Sequence, residues 1–165
     1  MREQNRVYRF PIVRPIPARH PKPGGNPFLE KRAALTRTFR GDGHRTMNIL
    51  IVEDHQDTRR VLSALLGRAD HEVITASGVT EAVKLLENVR VNVLLSDLGL
   101  PDGDGLELVT KAKAIQPNIR AIALTARDSK KDQQLGQQAG FDHYLSKPFD
   151  FHELRSLLGI LRPAA

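Results

Sequence analysis

The stretch from Val91 to Gly105, V-N-V-L-L-S-D-L-G-L-P-D-G-D-G, constrains the fold more than any other part of the chain. It opens on a nearly unbroken apolar run and stops at a single carboxylate, Asp97. A short continuous apolar run bounded by turn residues suits a strand buried on both faces, as in a parallel sheet. Pro101, Gly103 and Gly105 then break the strand and make a loop. Asp97 therefore falls at the carboxyl end of a central strand, the edge at which ligands bind in open α/β sheets. Taken alone, Asp97 is equally well a turn or helix-capping aspartate, so the rest of the chain has to decide.

The pattern around it repeats. Asn48 to Val52 reads as a buried strand ending in Glu53-Asp54, and Gln56 to Arg68 as a helix with Val61, Leu62, Leu65 and Leu66 on one face. His71 to Ala76 is a second strand. Ser77 is placed to cap the helix that follows, which buries Val79, Val83 and Leu86. Val91 to Ser96 is the third strand. The next helix carries Leu108, Ala112 and Ile115 in register to about Gln116, before Pro117. Ile119 to Leu124 is the fourth strand and Asp128 to Ala139 a polar helix. Asp142 to Leu145 is a short fifth strand. Phe151, Leu154, Leu158 and Leu161 line a last helix that stops before Pro163. Five strand–helix units at this spacing imply an α/β fold, a parallel sheet with helices on both faces. Right-handed crossovers leave few topologies. The flavodoxin-like (βα)5 three-layer sandwich with strand order 2-1-3-4-5 is the common five-stranded form.

Charge divides the chain at Met47. Residues 1–46 hold 11 Lys or Arg against 3 Asp or Glu, whereas residues 47–165 hold 14 against 16. The N-terminal part also carries six prolines and no sustained apolar period. Such a segment cannot bury enough apolar surface to offset the entropy of ordering. It is expected to be a disordered basic tail, with one short helix from Leu29 to Phe39. A mis-called start, with translation from Met47, is the alternative. A nucleic-acid-binding arm is a third reading, without a stacking pattern of aromatics to support it. The chain has no cysteine, which excludes disulfides and thiolate metal sites. No apolar run approaches the roughly 20 residues of a membrane helix, so membrane insertion is not expected and the cytoplasm is the expected location.

In the five-stranded fold the strand ends share one edge, and four of them carry polar groups. These are Glu53 and Asp54 after strand 1, Asp97 at strand 3, Thr125 at strand 4 and Lys147 after strand 5. Carboxylates crowded together repel unless a cation intervenes, and an oxygen-only set suits Mg²⁺. Lys147 adds a fixed positive charge and Thr125 a hydroxyl donor, which together make a seat for a dianionic phosphoryl group.

Four motifs, I-V-E-D-H, L-S-D-L-G-L-P-D-G-D-G, A-L-T-A and Y-L-S-K-P-F, stand in order at these strand ends. Through them residues 47–162 resemble the receiver domain of bacterial two-component response regulators; residues 1–46 lie outside the resemblance. The resemblance implies that Asp97 accepts a phosphoryl group from a histidine kinase or histidine phosphotransfer protein. It implies that Mg²⁺ is held by Asp54, Asp97 and the backbone carbonyl of Gly99, with Glu53 assisting through water. Glu53 stands where aspartate is commoner. Thr125 would hydrogen-bond the phosphoryl group, Lys147 would pair with it, and Pro148 would follow a cis peptide bond. Tyr144 matches an aromatic switch position, although a half-buried strand aromatic is the plain reading. Thr125 and Tyr144 would move inward on phosphorylation and change the face of the fourth helix, fifth strand and fifth helix for a downstream protein. His55 is expected to face solvent, Lys130-Lys131 to be a solvated helix face, and Asp102 and Asp104 to be turn and cap residues.

Three rivals remain. A haloacid dehalogenase-like phosphotransferase also uses an aspartyl phosphate, but needs a second aspartate two positions on, where this chain has Gly99. A DNA-associated regulator is expected to need a DNA-binding domain after the receiver-like residues, and within these 165 residues only the basic tail could serve. A flavin module of the same fold would place a phosphate against Glu53-Asp54, which would repel it. The expectation is a signalling switch, a stand-alone or hybrid-kinase-type receiver, and not a turnover enzyme.

Overall fold

The computed structural model describes residues 46–126 and 130–161, with the side chains of residues 130–132 left aside. The expectations for the basic tail and its helix lie outside the described residues, as do the start of the polar helix and Pro163. The elements run β1 (Asn48–Val52), α1 (Gln56–Arg68), β2 (Glu72–Ala76), α2 (Val79–Asn88), β3 (Val93–Asp97), β4 (Gly99–Leu100), β5 (Gly103–Asp104), α3 (Gly105–Ile115), β6 (Arg120–Thr125), α4 (Lys130–Ala139), β7 (His143–Ser146) and α5 (Phe151–Ile160). The main sheet has the order β2-β1-β3-β6-β7, and every neighbouring pair is parallel. Counting only those five strands, this is the expected 2-1-3-4-5.

Alternation along each strand separates two apolar layers. Leu50, Val52, Leu94 and Ala123 face one side and pack with Leu85 and Leu86 of α2 and Leu108 and Ala112 of α3. Ile49, Ile51, Val93, Leu95, Ile122 and Leu124 face the other, against Leu62 and Leu66 of α1 and Leu154 and Leu158 of α5. Both faces of the central strands are thus buried, which is why the sequence shows runs there and not alternation. No helix among the described residues is long and apolar enough to cross a membrane.

Strands β3, β6 and β7 end one residue later than the apolar runs suggest. Asp97 pairs with Leu124 and Thr125 with Ser146, so the ladder continues through the polar residues. Hydrogen-bonded strand, and not mobile loop, therefore fixes the backbones of Asp97 and Thr125. Beyond β3 the expected loop contains a small antiparallel ladder, Gly99 against Asp104 and Leu100 against Gly103.

Two expectations about the helices are corrected. Ser77 does not cap α2; its hydroxyl donates to Glu81 Oε2 at 3.1 Å, and the N-cap position is Gly78. The cap comes from Asp102, 23 residues along the chain, which accepts from Val79 N at 2.7 Å. Val61 and Ile115 belong to their helices but not to the core, with 57 % and 38 % of their surface exposed. Val61 lies beside the buried pair Leu62 and Leu66, and Ile115 is the last residue of α3. Asp104 caps α3 as expected, accepting from Leu106 N at 2.9 Å.

Candidate functional site

Three strand ends and one loop bring the expected residues to one edge of the sheet. Glu53 follows β1 and is fully buried, and Asp54 beside it is exposed. Two bonds from the Arg59 guanidinium, to the Glu53 carbonyl and at 2.7 Å to the Asp54 carbonyl, hold this turn from one helical turn further on. Asp97 ends β3. Lys147 leaves β7 with its N–H donating to the Thr125 carbonyl at 2.8 Å, and the Lys147–Pro148 peptide is cis, as expected.

The centre of the site is the Lys147 ammonium. It donates to Glu53 Oε2 at 2.6 Å and to Asp97 Oδ2 at 2.7 Å. Two carboxylates from different strands thus converge on one cation. Burial pulls the Lys147 pKa down, but the hydrogen bonds and charges of Asp97 and Glu53 outweigh it and raise it above the ordinary lysine value. The other Asp97 oxygen, Oδ1, accepts from Gly99 N at 3.1 Å. A side chain at position 99 would meet open space.

His55 is largely solvent-exposed, as expected, yet its ring is engaged. Nδ1 lies 2.7 Å from Asp54 Oδ1 and 3.3 Å from Glu53 Oε1. These hydrogen bonds raise the His55 pKa. For Asp54, desolvation pushes upward, but hydrogen bonding with Glu53 and His55 prevails and holds the carboxyl below its usual range. Ligand atoms of Glu53, Asp54 and His55 lie within 4.8 Å of one another, whereas Asp97 joins the group through Lys147.

Tyr144 sits on β7, opposite Ala123 of β6. Its ring is half-buried and tilted against Phe141, with centroids 5.9 Å apart. Its hydroxyl is buried without a hydrogen-bond partner, and burial raises its pKa. The hydroxyl occupies the space that any side chain at Gly136 of α4 would need. The structure thus joins Glu53, Asp97 and Lys147 directly, Asp54 to Glu53 through His55, and Gly99 to Asp97 through its N–H. Thr125 is tied to Lys147 by backbone, and the Tyr144 hydroxyl has no hydrogen-bond partner among the described residues.

The family model for the response regulator receiver domain matches residues 49–159. The chain belongs to the response regulator receiver domain family. It is 38% identical over 114 residues to an uncharacterised 14.6 kDa protein of Leptolyngbya boryana, covering 68% of this chain and 87% of that protein. It is 34% identical to the aerobic respiration control protein ArcA of Escherichia coli, covering 67% of this chain and 46% of ArcA. The chain thus spans about half the length of ArcA. Among solved structures, the chemotaxis protein CheY4 of Vibrio cholerae superposes with a TM-score of 0.68 at 28% identity, covering 71% of this chain and 99% of that one. The response regulator TrrA of Thermotoga maritima, solved in complex with Mg²⁺-BeF, gives 0.65 at 28% identity, covering 71% of this chain and 100% of that one.

Receiver domains are signalling switches of two-component systems, phosphorylated on an aspartate, and as a family they bind Mg²⁺ at the acidic pocket. The donor set of this receiver domain fits such an ion. Glu53 and Asp97 already converge on one cationic centre, and Asp54 presents a further carboxylate oxygen within 4.8 Å of one of Glu53. Hard oxygen donors of this kind are those Mg²⁺ takes.

Proposed function

We propose that this receiver domain takes a phosphoryl group on Asp97 from a histidine kinase or histidine phosphotransfer protein and passes the change to a protein partner. The observation that carries the reading is the Lys147 ammonium bridging Glu53 and Asp97 across the sheet edge. Phosphoryl transfer demands positioning and charge neutralisation more than covalent chemistry from the protein. An Asp97 carboxylate oxygen forms the new bond to phosphorus. The phosphorus–nitrogen bond of the donor breaks, and its electron pair returns to the donor imidazole. Attack by water later releases inorganic phosphate and restores the carboxylate.

Asp54, Asp97 and the Gly99 carbonyl hold Mg²⁺ in this reading, with Glu53 behind them. The ion supplies charge neutralisation for the incoming phosphoryl oxygens. Lys147 keeps its hold on Asp97 and gains the phosphoryl group as a second anionic partner, and the Thr125 hydroxyl donates to the same group. Phosphorylation adds roughly −1.5 to −2 charges at this edge. Thr125 and Tyr144 carry that change to the face made by α4, β7 and α5, and a partner that binds the altered face better supplies the output. The protein is a cytoplasmic switch in this reading and assists only its own phosphorylation and dephosphorylation. No nucleic-acid contact is assigned to residues 46–161.

Intact mass after incubation with a small acyl phosphate tests the proposal. One phosphoryl mass should be gained in Mg²⁺ and not in chelator, and Asp97→Asn should abolish the gain. Undiminished uptake by Asp97→Asn refutes the assignment.

A further inference from the structure

The small hairpin after β3 is anchored at both ends. At its base, Gly105 N donates to the Leu98 carbonyl at 2.9 Å, and a side chain at position 105 would run into the backbone of Asp97 and Leu98. At its tip, the turn Pro101-Asp102 lies against the start of α2. The Asp102 carboxylate accepts from Val79 N at 2.7 Å through Oδ1 and from Thr80 N at 2.9 Å through Oδ2. These are the first two N–H groups of a helix whose own N-cap, Gly78, offers no side chain. The fit is close. The three atoms nearest a Cβ at position 78 all belong to Asp102, and a Cβ at position 103 would lie 2.9 Å from Val79 Cγ2.

Between these anchors lies Gly99, which pairs with Asp104 and donates its N–H to Asp97 Oδ1. A two-rung hairpin has little stability of its own. Its orientation is therefore set by what holds its ends. An ordinary helix cap is supplied by the residue at the helix start. This one is supplied from the loop beside the phosphoacceptor, so the same two bonds that cap α2 also hold that loop.

We propose that Asp102 is a positioning residue for Asp97: by clasping the N-terminus of α2 it fixes the hairpin that sets the Gly99 amide and carbonyl beside the phosphoacceptor. The proposal rests on the reading of Asp97 as phosphoacceptor and of the Gly99 carbonyl as an Mg²⁺ ligand. Asp102 touches neither the ion nor the phosphoryl group; it acts through the hairpin.

Capping and positioning can be separated. Gly78 has φ −171° and ψ 179°, extended backbone open to any residue. In an Asp102→Ala background the atoms that crowd position 78 are gone, so Gly78→Ser gives α2 a local cap without restoring the anchor. Wild type, Asp102→Ala and Asp102→Ala/Gly78→Ser are compared by thermal melting, by amide exchange at Gly99 without metal, and by Mg²⁺ titration in NMR. The double variant should recover most of the melting temperature lost by Asp102→Ala. Its Gly99 exchange rate and Mg²⁺ dissociation constant should stay raised by about tenfold, the lower end of the effect of removing an outer partner of a metal ligand. Return of both quantities to wild-type values would make Asp102 a cap and nothing more, and overturn the proposal. Wild-type values in Asp102→Ala itself would overturn it equally. Asp102→Asn keeps the shape and one acceptor oxygen, and its exchange rate should fall between those of wild type and Asp102→Ala; a rate at or above that of Asp102→Ala would count against an anchor made through these bonds. Absence of Mg²⁺-induced shifts at Asp54 and Asp97 in wild type would refute the reading of the site as an Mg²⁺ site instead, while exchange in metal-free protein still decides the role of Asp102.

Discussion

Lys147→Met removes the cation from the centre of the site while keeping most of the stem volume. In the folded protein the ammonium lies 2.6 Å from Glu53 and 2.7 Å from Asp97. Each contact is worth about 6 kcal/mol of gross Coulomb energy at an effective dielectric of 20, most of it offset by desolvation. Removing one member of a buried pair typically costs about 3–5 kcal/mol, because the partner is left charged and alone. Glu53 is fully buried, but Lys147 is 26% exposed and Asp97 18%, which reduces the loss. The expected loss without metal is therefore about 2–3 kcal/mol, just below that range. Mg²⁺ at 100 times its dissociation constant stabilises by about 2.7 kcal/mol, which should bring the variant back to about the stability of metal-free wild type. The ammonium and the ion compete for the same negative charge, so the variant should bind Mg²⁺ as tightly as wild type or more tightly. The pH dependence has a definite sign. The folded pKa of Lys147 is raised, so its contribution is fully present below the ordinary value of 10.5 and lost as pH rises through the folded value. The stability gap should be flat near neutrality and close only in strong alkali. Urea unfolding in chelator and in Mg²⁺, with an NMR metal titration, measures all of this. Clearly weaker Mg²⁺ binding by Lys147→Met would show that the ammonium orders the pocket instead of competing for it, and the electrostatic argument would fail.

Asp142 accepts from Lys113 Nζ at 3.0 Å, Arg120 Nη1 at 3.2 Å and Ala121 N at 2.8 Å. Asp142→Asn should cost about 1–2 kcal/mol. Desolvation raises the Asp142 pKa, but these partners outweigh it and lower it, so the difference from wild type should persist above the ordinary value of 3.8 and vanish as pH falls through the folded value; a pH series of urea unfolding reads this, and a gap that grows in acid contradicts it. Gly136→Ala gains up to about 1 kcal/mol of helix propensity but places a methyl on the Tyr144 hydroxyl. The ring should turn outward, seen as loss of the Tyr144–Phe141 ring contact in NMR, and an unshifted ring would show that α4 moves instead.

Much of this was legible because parallel sheets write themselves into sequence. The runs N-I-L-I-V and V-N-V-L-L-S announced strands buried on both faces, and the polar residues after them marked the edge where ligands bind. Strand order alone brings Glu53, Asp97 and Lys147 to one edge. What escaped was whatever depends on a partner distant in sequence. Asp102 follows a proline in a glycine-rich turn and reads locally as a turn residue. Only the missing cap at Gly78, with Ser77 committed to Glu81, hints that α2 borrows one from elsewhere. The β4–β5 ladder has two residues per strand, too few for any period to show. Val61 and Ile115 match the helical period but are exposed among the described residues. His55 faces solvent, as its place at the helix start implies, yet one ring nitrogen returns to Asp54.

The central claim is that Asp97 is the acceptor, and chemical trapping tests it most directly. An acyl phosphate on a carboxylate is reduced by borohydride to the corresponding alcohol, which marks the residue that carried it. After phosphorylation in Mg²⁺, reduction and digestion, peptide mass mapping should place the mark at Asp97 alone, and the mark should disappear in chelator. A mark at Glu53 or Asp54, or none in protein whose pocket visibly binds Mg²⁺, would contradict the account.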